Sequence, residues 1–123
     1  MKRDKKFSFL NSEVSTISWV TAYDYPIAYC AEMAGIDMIL VGDSGAMVQH
    51  GHESTLPITM LSMITMCQSV RRGASSTFIV GDMPFGSYEA SDEQAVKHAV
   101  DFLKAGNCDA VKLEGGIRIS TRI

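Results

Sequence analysis

Four short stretches of nearly continuous apolar residues recur along the chain, and segments with a helical period separate them. The stretches are residues 16–21, 37–42, 77–81 and 109–113. Their length and their β-branched residues predict strands. Because polar residues do not alternate regularly with the apolar ones, we expect both faces of these strands to be buried, as in a parallel sheet covered by helices.

The segments between the strands predict three main helices. Asp24, Thr59 and Ser91 are suited to cap the helix starts, and Gly35 and Gly73 are suited to end the first two. The apolar positions expected to be buried are Ile27, Cys30, Ala31 and Ala34 in the first helix, Met60, Met63, Ile64, Cys67 and Val70 in the second, and Val96, Ala99, Val100 and Leu103 in the third. This alternation predicts an α/β fold of type βαβαβαβ with parallel strands and right-handed crossovers.

Composition and charge narrow the class of protein. The 123 residues are 46% apolar and 20% charged, with a formal net charge of -3, which is typical of one globular domain spanning residues 1–123. Acidic and basic residues are interspersed, so we expect no nucleic-acid partner and no membrane partner. The longest uncharged apolar run, residues 38–42, is too short to span a bilayer, and a cytoplasmic location is expected.

The three cysteines do not have the spacing of a metal or disulfide framework. Cys30, Cys67 and Cys108 are far apart in the sequence and lie within apolar patterns. We expect all three to be buried thiols.

Acidic residues follow three of the predicted strands. Asp43, Asp82 and Glu114 come at or just after strand ends, and Lys112 lies two residues before Glu114, on the same side of its strand. Ligands of parallel α/β folds bind beyond the carboxyl ends of the strands, where these side chains would converge. Carboxylates so close repel unless a cation neutralises them, and their hard oxygens suit Mg²⁺. Any one of these aspartates is also explained as a turn or cap residue. Neighbouring glycines such as Gly81 are explained either by close approach of a ligand or by turn geometry.

Five motifs in order resemble ketopantoate hydroxymethyltransferases. They are VTAYDYP at residues 20–26, ILVGDS at 39–44, STLP at 54–57, DMPFGSY at 82–88 and VKLEGG at 111–116. The resemblance covers residues 15–116. It implies a (β/α) barrel of the TIM type, related to the phosphoenolpyruvate-mutase and isocitrate-lyase group.

The resemblance also implies a reaction and its ligands. Members of the family transfer a hydroxymethyl group from 5,10-methylenetetrahydrofolate, the co-substrate, to the 2-oxo acid 3-methyl-2-oxobutanoate, giving ketopantoate in pantothenate synthesis. On this basis Asp43 and Asp82 hold Mg²⁺ with help from Glu114, and Asp43, Ser44, Asp82 and Lys112 bind the oxo acid. A metal that chelates the oxo acid would make its C3 proton more acidic.

Several features depart from the family pattern. A complete barrel of this type has about 250 residues, so this chain is expected to hold about four strand-helix units. The family's proton-abstracting glutamate has no counterpart in it, and we therefore assign no catalytic residue. The tail, residues 117–123, no longer resembles the family helix, and residues 44–47 predict a slightly altered loop.

Two other functions remain open at this point. The chain is alternatively a non-catalytic remnant that binds metal or oxo acid or associates with itself, or a carbon-carbon lyase of the wider group. An open four-stranded sheet has two unpaired edges, which favours association, and a homo-oligomer is expected.

Overall fold

A computed structural model describes residues 16–122, in which four strands form one sheet. The strands are β1 (Trp19–Thr21), β2 (Met38–Val41), β3 (Phe78–Asp82) and β4 (Ala110–Lys112). They lie in the order β1-β2-β3-β4, and each neighbouring pair is parallel. The predicted strands and their parallel arrangement are therefore confirmed, although the strand ends differ by up to three residues.

Helices alternate with the strands as predicted. They are α1 (Tyr25–Met33), α2 (Gly45–Val48), α3 (Met60–Gly73), α4 (Asp92–Asp101), a π-helical turn that continues α4 (Phe102–Gly106), and a 3-10 helix (Gly116–Arg122). The side chains of Asp24, Thr59 and Ser91 accept hydrogen bonds of 3.0–3.1 Å from backbone N–H groups three residues later. These contacts confirm the predicted caps. Within residues 16–122, no helix is long and apolar enough to cross a bilayer.

Burial is greatest at the middle of the sheet. All five residues of β3 are buried, whereas all three residues of β1 are exposed, Trp19 to 52%. The expected burial on both faces is thus confirmed for β3 and wrong for β1. In the described part of the chain, β1 is an edge strand whose only neighbour in the sheet is β2.

The buried face of α1 differs from the predicted one. Its buried residues are Ala28 and Ala31. The reason lies at Gly73, where a Cβ atom would come within 2.4 Å of the Tyr25 carbonyl oxygen and 3.1 Å of the Ala28 Cβ. This close crossing of α1 and α3 turns Ala28 inward, and the opposite side of α1 faces solvent. The predicted core positions that are instead exposed are Ile27, Cys30 and Ala34.

The prediction for α3 is confirmed, and the one for α4 is largely wrong. The predicted apolar positions of α3 are all buried or half-buried. On α4 and its π-helical extension, Ala95 and Phe102 are buried instead. Gly81 explains this, because a Cβ atom there would lie 2.7 Å from two ring carbons of Phe102, so the missing side chain admits the ring. The predicted positions that remain exposed are Val96, Val100 and Leu103, while Ala99 is half-buried.

Two of the three cysteines are core residues, as predicted. Cys67 and Cys108 are buried, whereas Cys30 is exposed on α1, so the prediction for Cys30 is wrong. The buried thiols contact each other, although they are distant in sequence. A hydrogen bond with Cys108, together with burial, raises the pKa of Cys67, so this thiol stays protonated at neutral pH.

A buried arginine joins α3 to the segments that precede β3 and β4. Arg71 Nη2 lies 2.5 Å from Asp109 Oδ2, and its other nitrogens donate to the backbone carbonyls of Ala74, Thr77 and Asn107. Asp109 Oδ2 also accepts a 2.8 Å hydrogen bond from the backbone N–H of residue 79. These bonds satisfy a guanidinium group that burial alone would destabilise.

Glu32 links α1 to the segment before β3. Its Oε2 accepts hydrogen bonds from the backbone N–H groups of Ser76 (2.8 Å) and Thr77 (2.9 Å) and from the Thr77 hydroxyl (3.0 Å). Burial by itself would raise the pKa of Glu32, but these hydrogen bonds outweigh it and lower the pKa below the ordinary 4.5. Ionised Glu32 therefore stabilises the folded state.

The substitution Glu32→Gln should lower the free energy of unfolding at pH 7 by about 1–2 kcal/mol, since charged hydrogen bonds are lost. Because the folded-state pKa is lowered, this stabilisation is fully present above pH 4.5 and disappears as the pH falls through the folded-state value. Urea unfolding at several pH values would measure the difference. Glu53→Gln, in an exposed loop, is the matched control, and an equal effect of both variants, or one independent of pH, would contradict the expectation.

Candidate active site at the carboxyl edge of the sheet

The parallel sheet places the predicted site residues at one edge. Asp43 follows β2, Asp82 is the last residue of β3, and Lys112 is the last residue of β4. Asp82 and Lys112 are directly paired in the register of β3 and β4. These three residues are at least 30 positions apart in the sequence, and the sheet brings them to the same edge.

Asp82 is a buried carboxylate with a cation beside it. The residue is 4% exposed, and its Oδ1 accepts a 2.7 Å hydrogen bond from Lys112 Nζ. Burial raises the pKa of Asp82, and Lys112 opposes this effect. The negative charge of Asp43 raises the pKa further, while a hydrogen bond from the Asp43 backbone lowers it. Because burial disfavours the ionised form of Asp82, a further cation nearby would stabilise its negative charge.

Lys112 also contacts the third predicted acid. Its Nζ lies 2.5 Å from Glu114 Oε1, and the Glu114 side chain is 69% exposed. Burial alone would lower the pKa of Lys112, but its hydrogen bonds to Asp82 and Glu114 outweigh this and raise it. Lys112 is therefore a cation at neutral pH, held between a buried and an exposed carboxylate.

Two tyrosines support this edge, and the sequence motifs contained both without indicating a role for either. The Tyr88 hydroxyl accepts a 3.1 Å hydrogen bond from the Glu114 backbone N–H, and Tyr88 is 5% exposed. The Tyr23 hydroxyl lies 2.9 Å from Ser44 Oγ. Only the tertiary contacts reveal these partners, because the residues are 26 and 21 positions apart.

Ser44 comes directly before a short helix, in the segment 44–47 for which the sequence predicted an altered loop. Residue 45 starts α2, and a Cβ atom on Gly45 would lie 2.8 Å from the Met66 side chain and 3.2 Å from the Tyr23 ring. The glycine therefore lets α2 pack tightly against α3 and Tyr23. This packing places the Ser44 hydroxyl beside the hydroxyl of Tyr23.

The donor set at this edge fits a magnesium ion with few protein ligands. No group of three His, Cys, Asp or Glu residues suited to a metal occurs among residues 16–122. Asp43 and Asp82 interact electrostatically, but Glu114 is engaged by Lys112. Mg²⁺ is commonly held by one or two carboxylates, with water and substrate completing its octahedron, so Asp43 and Asp82 are the two residues that would hold such an ion.

Comparison with known proteins identifies the family. A family model described as ketopantoate hydroxymethyltransferase matches residues 4–123. The chain belongs to this family. The match includes residues 117–123, so the prediction that the family resemblance ends at residue 116 is wrong.

Named members of the ketopantoate hydroxymethyltransferase family are closely similar. The 3-methyl-2-oxobutanoate hydroxymethyltransferase of Alkaliphilus metalliredigens is 57% identical over 87% of this chain and 38% of its own length. The enzyme named 3-methyl-2-oxobutanoate hydroxymethyltransferase 2, mitochondrial, of Oryza sativa subsp. japonica is 59% identical over 80% of this chain and 25% of its own length. The chain thus spans less than half the length of these relatives.

Solved structures confirm the fold. A 2,3-dimethylmalate lyase, described as a member of the PEP mutase/isocitrate lyase superfamily, gives a TM-score of 0.69 at 20% identity, covering 93% of this chain and 40% of that one. A phosphonopyruvate hydrolase in complex with oxalate and Mg++ gives 0.69 at 14% identity, covering 90% and 38%. The predicted (β/α) barrel-type architecture, with four strand-helix units in this chain, is therefore confirmed.

The contact between Tyr88 and Glu114 can be tested directly. Tyr88→Phe removes the acceptor of the Glu114 N–H, and we expect the free energy of unfolding to fall by about 1 kcal/mol. Amide hydrogen exchange at Glu114 should become faster. Tyr29→Phe is the matched control, because this tyrosine is 49% exposed. Unchanged exchange at Glu114 would show that the Tyr88 hydroxyl does not hold this backbone.

Proposed function

We propose that the protein containing this chain transfers a hydroxymethyl group from 5,10-methylenetetrahydrofolate to 3-methyl-2-oxobutanoate. The observation that carries the proposal is the hydrogen-bonded series Asp82, Lys112 and Glu114 at the carboxyl edge of the sheet, in a chain of this family. This series provides a buried anion and a fixed cation at the position where parallel α/β folds bind their ligands.

Asp43 and Asp82 are the residues that would hold Mg²⁺. Burial of Asp82 and its repulsion from Asp43 favour a cation between them. When bound, the metal supplies a Lewis acid next to the oxo acid, which increases the acidity of its C3 proton. Glu114 holds the ammonium group of Lys112, and any contact of Glu114 with the metal would be indirect.

Lys112 and Ser44 are proposed to bind the oxo acid. The Lys112 side chain is 30% exposed and ends in a charged ammonium group, which suits the carboxylate of the substrate. The Ser44 hydroxyl is held by Tyr23 and is available as a hydrogen-bond partner for a substrate oxygen. Both groups are fixed before the substrate arrives, so little side-chain ordering is needed on binding.

The chemical step needs more than these groups supply. A base must remove the C3 proton before the resulting enolate attacks the methylene carbon of the folate, and positioned bases typically contribute about 10²- to 10⁴-fold. Over the whole reaction, both C–N bonds to that carbon break, and water supplies the hydroxyl oxygen of ketopantoate. Lys112 is cationic and Asp82 is paired with it, so neither is placed to act as that base. The base is therefore expected outside the Asp82, Lys112 and Glu114 series.

The lyase alternative has weaker support than the transferase. Similarity to the lyase and hydrolase structures is 14–20% in identity and concerns the fold alone, whereas the named hydroxymethyltransferases reach 57–59%. A remnant that only binds metal or oxo acid would not turn over substrate. Deuterium exchange at C3 of the oxo acid distinguishes such a remnant from the transferase.

Association and location remain predictions. A homo-oligomer is supported by large exposed apolar side chains near both outer strands, including Trp19 at 52% and Val96 at 58%. The cytoplasmic location stays a prediction, and the Oryza sativa relative described above is named as mitochondrial.

Asp82→Asn should weaken Mg²⁺ binding measured by titration calorimetry with 3-methyl-2-oxobutanoate present, by about tenfold or more, because one of two charged ligands is lost. The amide keeps the size of the buried side chain, and Lys112 keeps Glu114 as its partner, so the fold should be retained. Asp101→Asn on α4 is the control. Equal Mg²⁺ affinity in the parent chain and in Asp82→Asn would refute the metal assignment.

Residues 1–123 taken alone should bind Mg²⁺ and oxo acid without rapid transfer. NMR can follow deuterium exchange at C3 of 3-methyl-2-oxobutanoate, with and without 5,10-methylenetetrahydrofolate. We expect little metal-dependent exchange and no ketopantoate. Exchange and product formation at rates ordinary for enzymes, roughly 1–10³ s⁻¹, would show that these residues contain or assemble a complete site.

A further inference from the structure

Two buried thiols are in contact between α3 and the start of β4. Cys67 belongs to α3 and is 0% exposed, and Cys108 lies two residues before β4 and is 7% exposed. Their side chains form a hydrogen bond with each other. Two sulfur atoms in hydrogen-bonding contact need a shift of only about 1–2 Å to reach the separation of a disulfide bond. The pair lies outside the proposed metal and oxo-acid site.

Missing side chains at two glycines make room for this contact. A Cβ atom on Gly106 would lie 3.3 Å from the Cys67 Cβ atom, so the end of the π-helical turn approaches α3 closely. A Cβ atom on Gly81 would lie 3.3 Å from Cys108 Sγ, so this sulfur lies against the backbone of β3. Because the interior of a protein is closely packed, the two sulfur atoms are held next to each other.

Arg71 fixes the backbone on both sides of Cys108. It lies four residues after Cys67, one turn further along α3 and on the same face of the helix. Its Nε donates a 2.9 Å hydrogen bond to the Asn107 carbonyl, and its Nη2 lies 2.5 Å from the Asp109 carboxylate. Both chain neighbours of Cys108 are thus held by the helix face that carries Cys67, and the fold itself positions one thiol against the other.

We propose that Cys67 and Cys108 form an oxidative modification site, at which a low-molecular-weight disulfide such as glutathione disulfide converts the two thiols into one disulfide bond. The Cys108 sulfur attacks one sulfur of the small disulfide, whose S–S bond breaks and releases a first thiolate. The Cys67 sulfur then attacks the Cys108 sulfur, and the bond to the remaining half breaks and releases a second thiolate. The two thiol protons pass to these leaving groups, so that two protein thiols are oxidised and one small disulfide is reduced to two thiols.

Cys108 is better suited than Cys67 to the first attack. Cys67 has no exposed surface, whereas Cys108 has some. The hydrogen bond with Cys67 lowers the pKa of Cys108, although burial opposes this, and a lower pKa favours the nucleophilic thiolate. The disulfide would close a loop of about 40 residues and restrict the unfolded chain more than the folded one, so the oxidised chain should be the more stable form. None of this depends on the proposed transferase function.

Equilibration of the variant Cys30→Ser in buffers of reduced and oxidised glutathione tests the proposal. This substitution removes the exposed cysteine of α1, which could otherwise form disulfides between chains. After an acid quench and alkylation in urea, trypsin leaves Cys67 and Cys108 in separate peptides, residues 7–71 and 105–112, which mass spectrometry detects as joined or free. We expect the equilibrium constant for disulfide formation to be at least about tenfold larger in the folded chain than in concentrated urea, because the fold holds the sulfur atoms in contact. Slow access to the buried thiols changes the rate of this reaction but not its equilibrium constant.

Urea unfolding of Cys30→Ser provides a second measurement. The oxidised form should unfold at a higher urea concentration than the reduced form, and dithiothreitol should abolish the difference. Cys67→Ala, which keeps Cys30 and Cys108, is the matched control and should form no disulfide within the folded chain. The first two measurements need only Cys30→Ser, so they decide the question even if Cys67→Ala is unstable. An equilibrium constant in the folded chain equal to or below that in urea, a lower urea midpoint after oxidation, or equally complete disulfide formation within the chain of Cys67→Ala would overturn the proposal.

Discussion

The ion pair between Asp82 and Lys112 is the interaction on which the carboxyl edge of the sheet depends. It joins the last residues of two neighbouring strands and places a cation against a carboxylate that is 4% exposed. Removing a partner from such a pair leaves a buried charge uncompensated, which is costly even though forming the pair contributes little net stability. The pair then organises its surroundings, because Lys112 holds Glu114 and the Glu114 backbone is held by Tyr88.

Close approach between layers depends on glycines at three places. Gly81 admits the ring of Phe102, Gly73 lets α1 cross α3, and Gly45 lets α2 approach Met66. At each of them an added Cβ atom would lie 2.4–2.8 Å from a neighbouring atom, which is inside van der Waals contact. Gly81 precedes Asp82, so the packing of Phe102 on β3 also determines where the buried carboxylate lies. The glycine beside the acid is thus explained by packing and not by approach of a ligand.

The sequence by itself determined the order of strands and helices, their caps and the parallel sheet. These features depend on local periodicity and on capping side chains such as Ser91, which act over a few residues. It also identified Asp43, Asp82, Lys112 and Glu114 as residues of one edge, since strand ends converge in any parallel sheet.

Only the tertiary structure decided which helix faces are buried and how the site residues pair. The periodicity of α1 and α4 allowed more than one inward face, and the close contacts at Gly73 and Gly81 determine which face is buried. The pairing of Lys112 with Asp82, and of Tyr88 with the Glu114 backbone, joins residues 30 and 26 positions apart. Such contacts depend on the register of neighbouring strands and the path of the connecting loops, which no local pattern of residues encodes.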